Sequence, residues 1–306
     1  DIGFDSLLGQ GSRFWFTVKL RKLSPDAIKA MEAEAKITAN LVTDFTGTIL
    51  LVEDNPANRL VTQTVLEKAG VRVDIASNGF EALAAVRRRP YDLILMDIGM
   101  PELDGVGATA EIRKLDTDRA RTPIVAMTAH VMHGDRSKFL AHGMDGYLAK
   151  PASREQILTC IVEWLQPDAP KLAQQEALPP LNITTGKNKF ETLTTATLVQ
   201  LVEDTDINLL PQLIDTFINT AKQQIESITL AASEVDFQKI TASAHSLKSS
   251  SATFGALHLN ELVKSIEIAV KENDHALLNI TVPLMKVEAL NVYEKLRKYA
   301  EDNCSK

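Results

Sequence analysis

Five short apolar runs alternate with amphipathic helical segments between Thr46 and Gln166, and few architectures accept that alternation. The runs are Thr48 to Val52, Val71 to Ala76, Leu93 to Asp97, Ile124 to Thr128 and Gly146 to Leu148. A chain that repeats strand and helix in this way builds an α/β doubly wound parallel sheet. The helix boundaries are marked: Asn55-Pro56 supplies an N-cap and a first-turn proline, Gly70 ends the first helix, and Ser153-x-x-Gln156 makes a capping box. Leu93, Ile94, Leu95 and Met96 read as a central strand buried on both faces. That strand runs into Asp97, and the pairs Met100-Pro101 and Asp104-Gly105 turn the chain sharply after it. Asp97 is therefore expected at the carboxyl end of a parallel strand, the edge where open α/β sheets bind their ligands.

The first strand ends in Glu53-Asp54, so three carboxylates are expected to converge on that edge. Unpaired they would repel one another, and a set of hard oxygen ligands favours Mg²⁺ as the missing positive charge. Lys150, before Pro151, adds a cation, and Thr128 adds a hydroxyl able to donate to a phosphoryl oxygen. Each alone has an ordinary reading as a helix-end acid, a surface lysine or a strand-end cap. Together, at the ends of four parallel strands, they read as one site. A cofactor-binding sheet of this type needs a Ser/Thr/Gly-rich loop after the first strand, where this chain has Glu53-Asp54-Asn55. A phosphatase with an Asp-x-Asp pair is excluded because Gly99 follows Asp97 at that spacing.

The segments Ile49-Leu-Leu-Val-Glu53-Asp54-Asn-Pro, Asp97-x-x-Met100-Pro101-x-x-Asp104-Gly105, Met127-Thr128-Ala129-His130 and Gly143-Met-Asp-Gly-Tyr147-Leu-Ala-Lys150-Pro151 resemble response-regulator receiver domains. The resemblance spans Thr46 to Gln166 and implies a flavodoxin-like (βα)5 fold. It makes Asp97 the phosphoacceptor, Asp54 a direct metal ligand, Glu53 an outer-sphere one and the Gly99 carbonyl a third metal contact. Lys150 and Thr128 would hold phosphoryl oxygens, the Lys150-Pro151 bond is expected to be cis, and Thr128 with Tyr147 would form the switch that senses phosphorylation.

Residues 167–189, with Pro167, Pro170, Pro179 and Pro180, read as a linker that lets its flanking domains meet in more than one orientation. From Phe190 the period is helical, with stretches Asn208 to Ser233, Asp236 to Phe254, Ala256 to Glu272 and Ala276 to Ala300, which predict an antiparallel helical bundle. Pro211 falls in a first turn, whereas Pro283 is expected to kink or delay the last helix. Phe237, Ile240, Ala244, Leu247, Ser251 and Phe254 form a buried stripe, which leaves His245 about 100° off that line and exposed. Thr241, Lys248, Ser249 and Ala252 share its face. The run Ala244-His245-Ser-Leu-Lys248-Ser249-Ser-Ser-Ala-Thr-Phe-Gly255-Ala256 resembles the histidine phosphotransfer (HPt) motif, and residues 190–306 resemble that domain. The resemblance makes His245 a phosphoacceptor assisted by Lys248. Ser249 departs from it, standing where many members have glycine. His258 and His275 match no motif and are expected at the surface.

Residues 1–21 read as a hairpin, and Gly9-x-Gly11-Ser12-x-Phe14-x-Phe16 resembles the last hairpin of the ATP-binding domain of sensor histidine kinases. Nothing in the chain matches that domain's phosphate-loop glycines, its magnesium-holding asparagine or a kinase-type phosphoacceptor histidine. Residues 22–46 read as a solvated helical connector. A net charge of -7, with 10 Lys/Arg against 16 Asp/Glu from Phe190 onward, argues against nucleic acid as a partner. Two cysteines without metal spacing suit a reducing cytoplasm, and no run is apolar enough to span a membrane. The expectation is a phosphorelay segment from the C-terminal end of a hybrid sensor histidine kinase, itself membrane-anchored or not. It would use Mg²⁺, exchange a phosphoryl group between Asp97 and His245, draw on an upstream histidine kinase as donor, and serve a downstream response-regulator receiver. The alternative is a scaffold that docks partners without chemistry, which the complete sets of acids, lysines and histidine disfavour.

Overall fold

In the computed structural model, residues 2–7, 11–16, 45–128, 135–165 and 192–304 are described. The connector expected at 22–46 lies outside them except for its last two residues, and the linker at 167–189 and the pair Ala129-His130 lie wholly outside them. Strands β1 (Ile2–Leu7) and β2 (Gly11–Phe16) pair antiparallel as the hairpin read from the sequence.

The strand leading to Asp97 is buried at all five positions, and the receiver sheet is built around it. The strands are β3 (Thr48–Val52), β4 (Arg72–Ala76), β5 (Leu93–Asp97), β6 (Ile124–Thr128) and β7 (Gly146–Ala149). Their order is β4-β3-β5-β6-β7, and every pairing is parallel. Helices α1 (Pro56–Lys68), α2 (Gly79–Arg88), α3 (Gly105–Arg113), α4 (Asp135–Ala141) and α5 (Arg154–Leu165) complete the (βα)5 unit. The boundary signals act as read. Asn55 Oδ1 accepts from the Ala57 and Asn58 amides, and Ser153 and Gln156 close their capping box at 2.9 and 3.3 Å.

The second part of the chain is all helical: α6 (Thr195–Asp204), α7 (Leu210–Glu234), α8 (Phe237–Thr253), α9 (Leu257–Glu272) and α10 (His275–Cys304). Helix α6 is too short and too polar at its start to show a sustained apolar period, so it escapes the sequence reading. Burial of Leu198 and Leu201 in the bundle core holds it. Pro283 neither delays nor ends α10, because buried Leu278, Val282, Met285 and Ala289 anchor the helix on both sides of it. Phe217 and Phe254 stack at the centre with centroids 4.6 Å apart. Gly255, at φ 69°, turns the chain from α8 into α9, and its carbonyl accepts from the Thr194 amide at 2.9 Å.

The two folded parts share a core. Ala57 of α1 is fully buried among the bundle's apolar side chains, with Leu60 and Val61 packed beside it. Helix α1 is thereby laid on the bundle. Among the described residues no helix is long and apolar enough to cross a membrane.

Two measurements follow. Phe254→Ala should cost about 3–5 kcal/mol of stability in denaturant titration, because it removes one ring of the stacked pair and leaves a cavity at the bundle centre. Burial pushes the Cys160 thiol up to about 12 whereas Cys304 is exposed. Iodoacetamide on the native chain should therefore label Cys304 alone by mass spectrometry, and Cys160 only after unfolding.

Candidate functional site

Strand register brings the site together. Val52 pairs with Met96, so the next residues, Glu53 and Asp97, lie side by side at the carboxyl edge. Asp97 pairs with Met127, and Thr128 with Ala149, which puts Thr128 and Lys150 at the same edge. Glu53, Asp97 and Thr128 are buried. The Lys150 ammonium lies 2.5 Å from Glu53 Oε2 and 2.7 Å from Asp97 Oδ2. Asp97 Oδ1 accepts from the Gly99 amide at 3.2 Å. The Lys150-Pro151 bond is cis, as the receiver resemblance implied.

Glu53, Asp54 and Asp97 each offer an oxygen, and the three oxygens lie within 4.8 Å of one another. Burial pushes the Glu53 carboxyl up to about 7, with Asp97 adding to the rise and Lys150 opposing it. Asp54 is pushed up to about 6, again by burial first and the Asp97 charge second. Burial also works against the Lys150 ammonium, but Glu53 and Asp97 together outweigh it and keep the group charged. One ammonium does not balance three clustered carboxylates. The donor set is all hard oxygen and fits a divalent cation.

His245 sits against this edge. A Cβ placed on Gly99 would overlap the imidazole at Nε2, so only glycine two residues after Asp97 admits the ring. His245 is not the exposed residue that its helical position suggested: its side chain is 28% exposed, because the receiver covers the face of α8 that carries it. Burial, with the neighbouring Lys248 charge, holds the imidazole below the usual histidine range, while Asp97 and Glu267 pull the other way. A neutral ring results at neutral pH. Its Nδ1 faces Glu267 Oε1 at 3.9 Å, and a proton kept on Nδ1 leaves the Nε2 lone pair toward Gly99.

Glu267 also receives Lys248, whose Nζ is 2.8 and 2.6 Å from its two oxygens. Lys248 is thereby buried beside His245. The sequence reading missed Glu267. Its only signal was an acid four residues after Val263, at the margin of the buried stripe of α9. Asn55 and Asn58 were also missed as site neighbours; both amides reach α8. Tyr147 is half-buried on β7 opposite Ala126 and packs against the receiver core. His275 is exposed, as expected, but His258 is half-buried, with Nδ1 3.3 Å from Glu288 Oε2.

Comparison with known proteins identifies the two folded parts. Residues 49–162 match the response regulator receiver domain, and residues 212–297 match the Hpt domain. The chain is 30% identical over 283 residues to the sensor protein GacS of Pseudomonas syringae pv. syringae, a match covering 89% of this chain and 30% of that protein. It is 39% identical over 150 residues to the sensor histidine kinase GacS of Pseudomonas protegens, covering 48% of this chain and 16% of that protein. The signal transduction histidine-protein kinase BarA of Escherichia coli K12 is 38% identical over 117 residues, or 38% of this chain and 13% of that one. The chain thus spans less than a third of the length of these relatives. Among solved structures, the receiver domain of the sensor histidine kinase PA1611 from Pseudomonas aeruginosa, determined with a magnesium ion in its active site cleft, is 42% identical; the match covers 39% of this chain and 98% of that one, with a TM-score of 0.37. The chain therefore joins a response regulator receiver domain to an Hpt domain, the two modules of two-component phosphorelay signalling.

Proposed function

We propose that this chain passes a phosphoryl group between Asp97 and His245 within one molecule, as a relay between an upstream histidine kinase and a downstream receiver. The observation that carries the reading is the imidazole Nε2 standing against Gly99, at the edge where Asp97, Lys150 and Thr128 converge. In transfer to histidine, the Nε2 lone pair attacks phosphorus in line, the bond to the Asp97 carboxylate oxygen breaks, and Lys150 stabilises the departing carboxylate. Glu267 balances the positive charge that grows on the imidazole, and Lys248 lies beside it as a second cation. The reverse reaction uses the same groups. Thr128 donates its hydroxyl to a phosphoryl oxygen, and its shift toward phosphate opens space for Tyr147.

A Mg²⁺ held by Asp54 and Asp97, with the Gly99 carbonyl as a further contact and Glu53 behind them, would supply charge neutralisation for the phosphoryl oxygens. The hairpin at 1–21, the connector at 22–46, the receiver at 47–166, the linker at 167–189 and the Hpt domain at 190–306 fit the C-terminal portion of a hybrid sensor histidine kinase. Two free cysteines suit a cytoplasmic setting.

Incubation with Mg²⁺ and acetyl phosphate tests the reading. His245→Gln should keep a hydroxylamine-labile acyl phosphate on Asp97 and lose the acid-labile, alkali-stable phosphohistidine. Asp97→Asn should lose both. No phosphate on either residue, from acetyl phosphate or from a competent kinase, would sink the proposal. The metal site has its own pH signature. The folded chain holds the Asp54 proton up to about 6, above the ordinary 3.8, so it binds more protons than the unfolded chain across that window. Metal-free stability should fall as pH rises through the window, with a shallower slope in Asp54→Asn, and Mg²⁺ should restore stability with proton release in calorimetry.

A further inference from the structure

Helix α1 leaves the acid edge immediately after Glu53-Asp54, and its first turns face the same side of α8 that carries His245. Two buried amides make the polar part of that contact. Asn55 spends its oxygen capping α1, and its Nδ2 donates to Ser246 Oγ at 3.1 Å and to the Ser246 carbonyl at 3.2 Å. Asn58 donates from Nδ2 to Ser249 Oγ at 3.0 Å and accepts at Oδ1 from Thr253 Oγ1 at 3.0 Å. Residues 55 and 58 are three apart on one helix, and 246, 249 and 253 are three and four apart on the other. Each set therefore lies along one helix face. The match is residue to residue.

Ser249 is the position where the chain departs from the glycine common in similar Hpt motifs. In this chain the departure supplies an acceptor. With glycine there, Asn58 Nδ2 would retain only Glu53 Oε1, at 3.5 Å, a poor hydrogen bond. Conversely, an apolar residue at 58 would bury the Ser249 hydroxyl against α1 without that partner. Asn58 and Ser249 are only 6% and 7% exposed, so water does not replace the lost partner cheaply. Both mismatches carry a penalty, and the pair discriminates as well as binds.

We infer that Asn58 and Ser249 are a matched specificity pair, by which this chain's receiver selects its own phosphotransfer helix and His245 is held against Gly99. The inference rests on the Asp97 to His245 reading and names what sets its fidelity. Both are positioning residues, and neither touches the transferred group.

A double-mutant cycle in the full chain tests it. Asp97 is loaded with acetyl phosphate and Mg²⁺, and the rate of phosphohistidine formation is followed separately from the extent of loading. Ser249→Ala should load Asp97 like the wild type and form phosphohistidine about tenfold more slowly, the scale of one buried donor left unpaired. Ser249→Thr, which keeps the hydroxyl, should recover most of the rate. Asn58→Ala should slow transfer similarly, and the double variant should be no slower than the slower single one. Wild-type transfer in Ser249→Ala, or slowing that multiplies in the double variant, would overturn the pairing. Hydrogen exchange of the Asn58 side-chain amide, followed by NMR, judges the contact whether or not phosphate moves. Faster exchange in Ser249→Ala supports the pair, and unchanged exchange refutes it. Asp97 loading with no phosphohistidine in any chain would instead refute the relay reading.

Discussion

Three carboxylates share one buried sheet edge with a single ammonium, and the rest of the molecule depends on how that imbalance is managed. Like charges about 4 Å apart repel by roughly 4 kcal/mol at an effective dielectric of about 20, an amount a marginally stable domain cannot ignore. Lys150 relieves part of it by binding Glu53 and Asp97 together. The remainder gives the edge an appetite for positive charge. A receiver built this way is poised for a divalent cation and for the crowded oxygens of a phosphoryl group. Parallel register fixes the arrangement, since each functional residue closes or follows a strand of the one sheet.

The same edge organises the meeting of the two modules. Helix α1 starts beside the acids and buries Val65 and Leu66 at its far end, while Ala57 enters the bundle core. One helix thus belongs to both hydrophobic interiors, and its polar first turn lies between them. Laying α8 on that turn brings His245 to Gly99. Asp97 is itself buried, two residues before the Gly99 that the His245 ring meets.

In the Hpt half the surroundings of the histidine act on its ring rather than on its charge balance with a metal site. Burial and Lys248 hold the ring neutral, while Glu267 faces Nδ1 and clamps Lys248 in place. A carboxylate that binds its lysine at both oxygens does not strip the proton from the imidazole, yet its charge still favours one tautomer. The surroundings of the two candidate phosphoacceptors thus differ in kind: clustered carboxylates at Asp97, and a desolvated ring held below the usual histidine range at His245.

Strand positions, the β-α alternation, the helix caps and the acid cluster were legible because each is written in local patterns: period, cap residues and turn pairs. The stripe of α8 was legible for the same reason. Helix α6 and the uninterrupted course of α10 through Pro283 were not, because packing of Leu198, Leu201, Val282 and Met285 overrides weak or contrary local preference. Sequence by itself determined the two modules and pointed to Asp97 and His245 as their candidate reactive residues. Only the tertiary structure decided that Glu267 faces the imidazole, that Asn55 and Asn58 reach for Ser246 and Ser249, and that His245 is half-buried rather than exposed. Those contacts join residues up to 191 positions apart. Helical and strand periodicity tells which side of an element is apolar, but carries no information about which distant surface will cover its polar side.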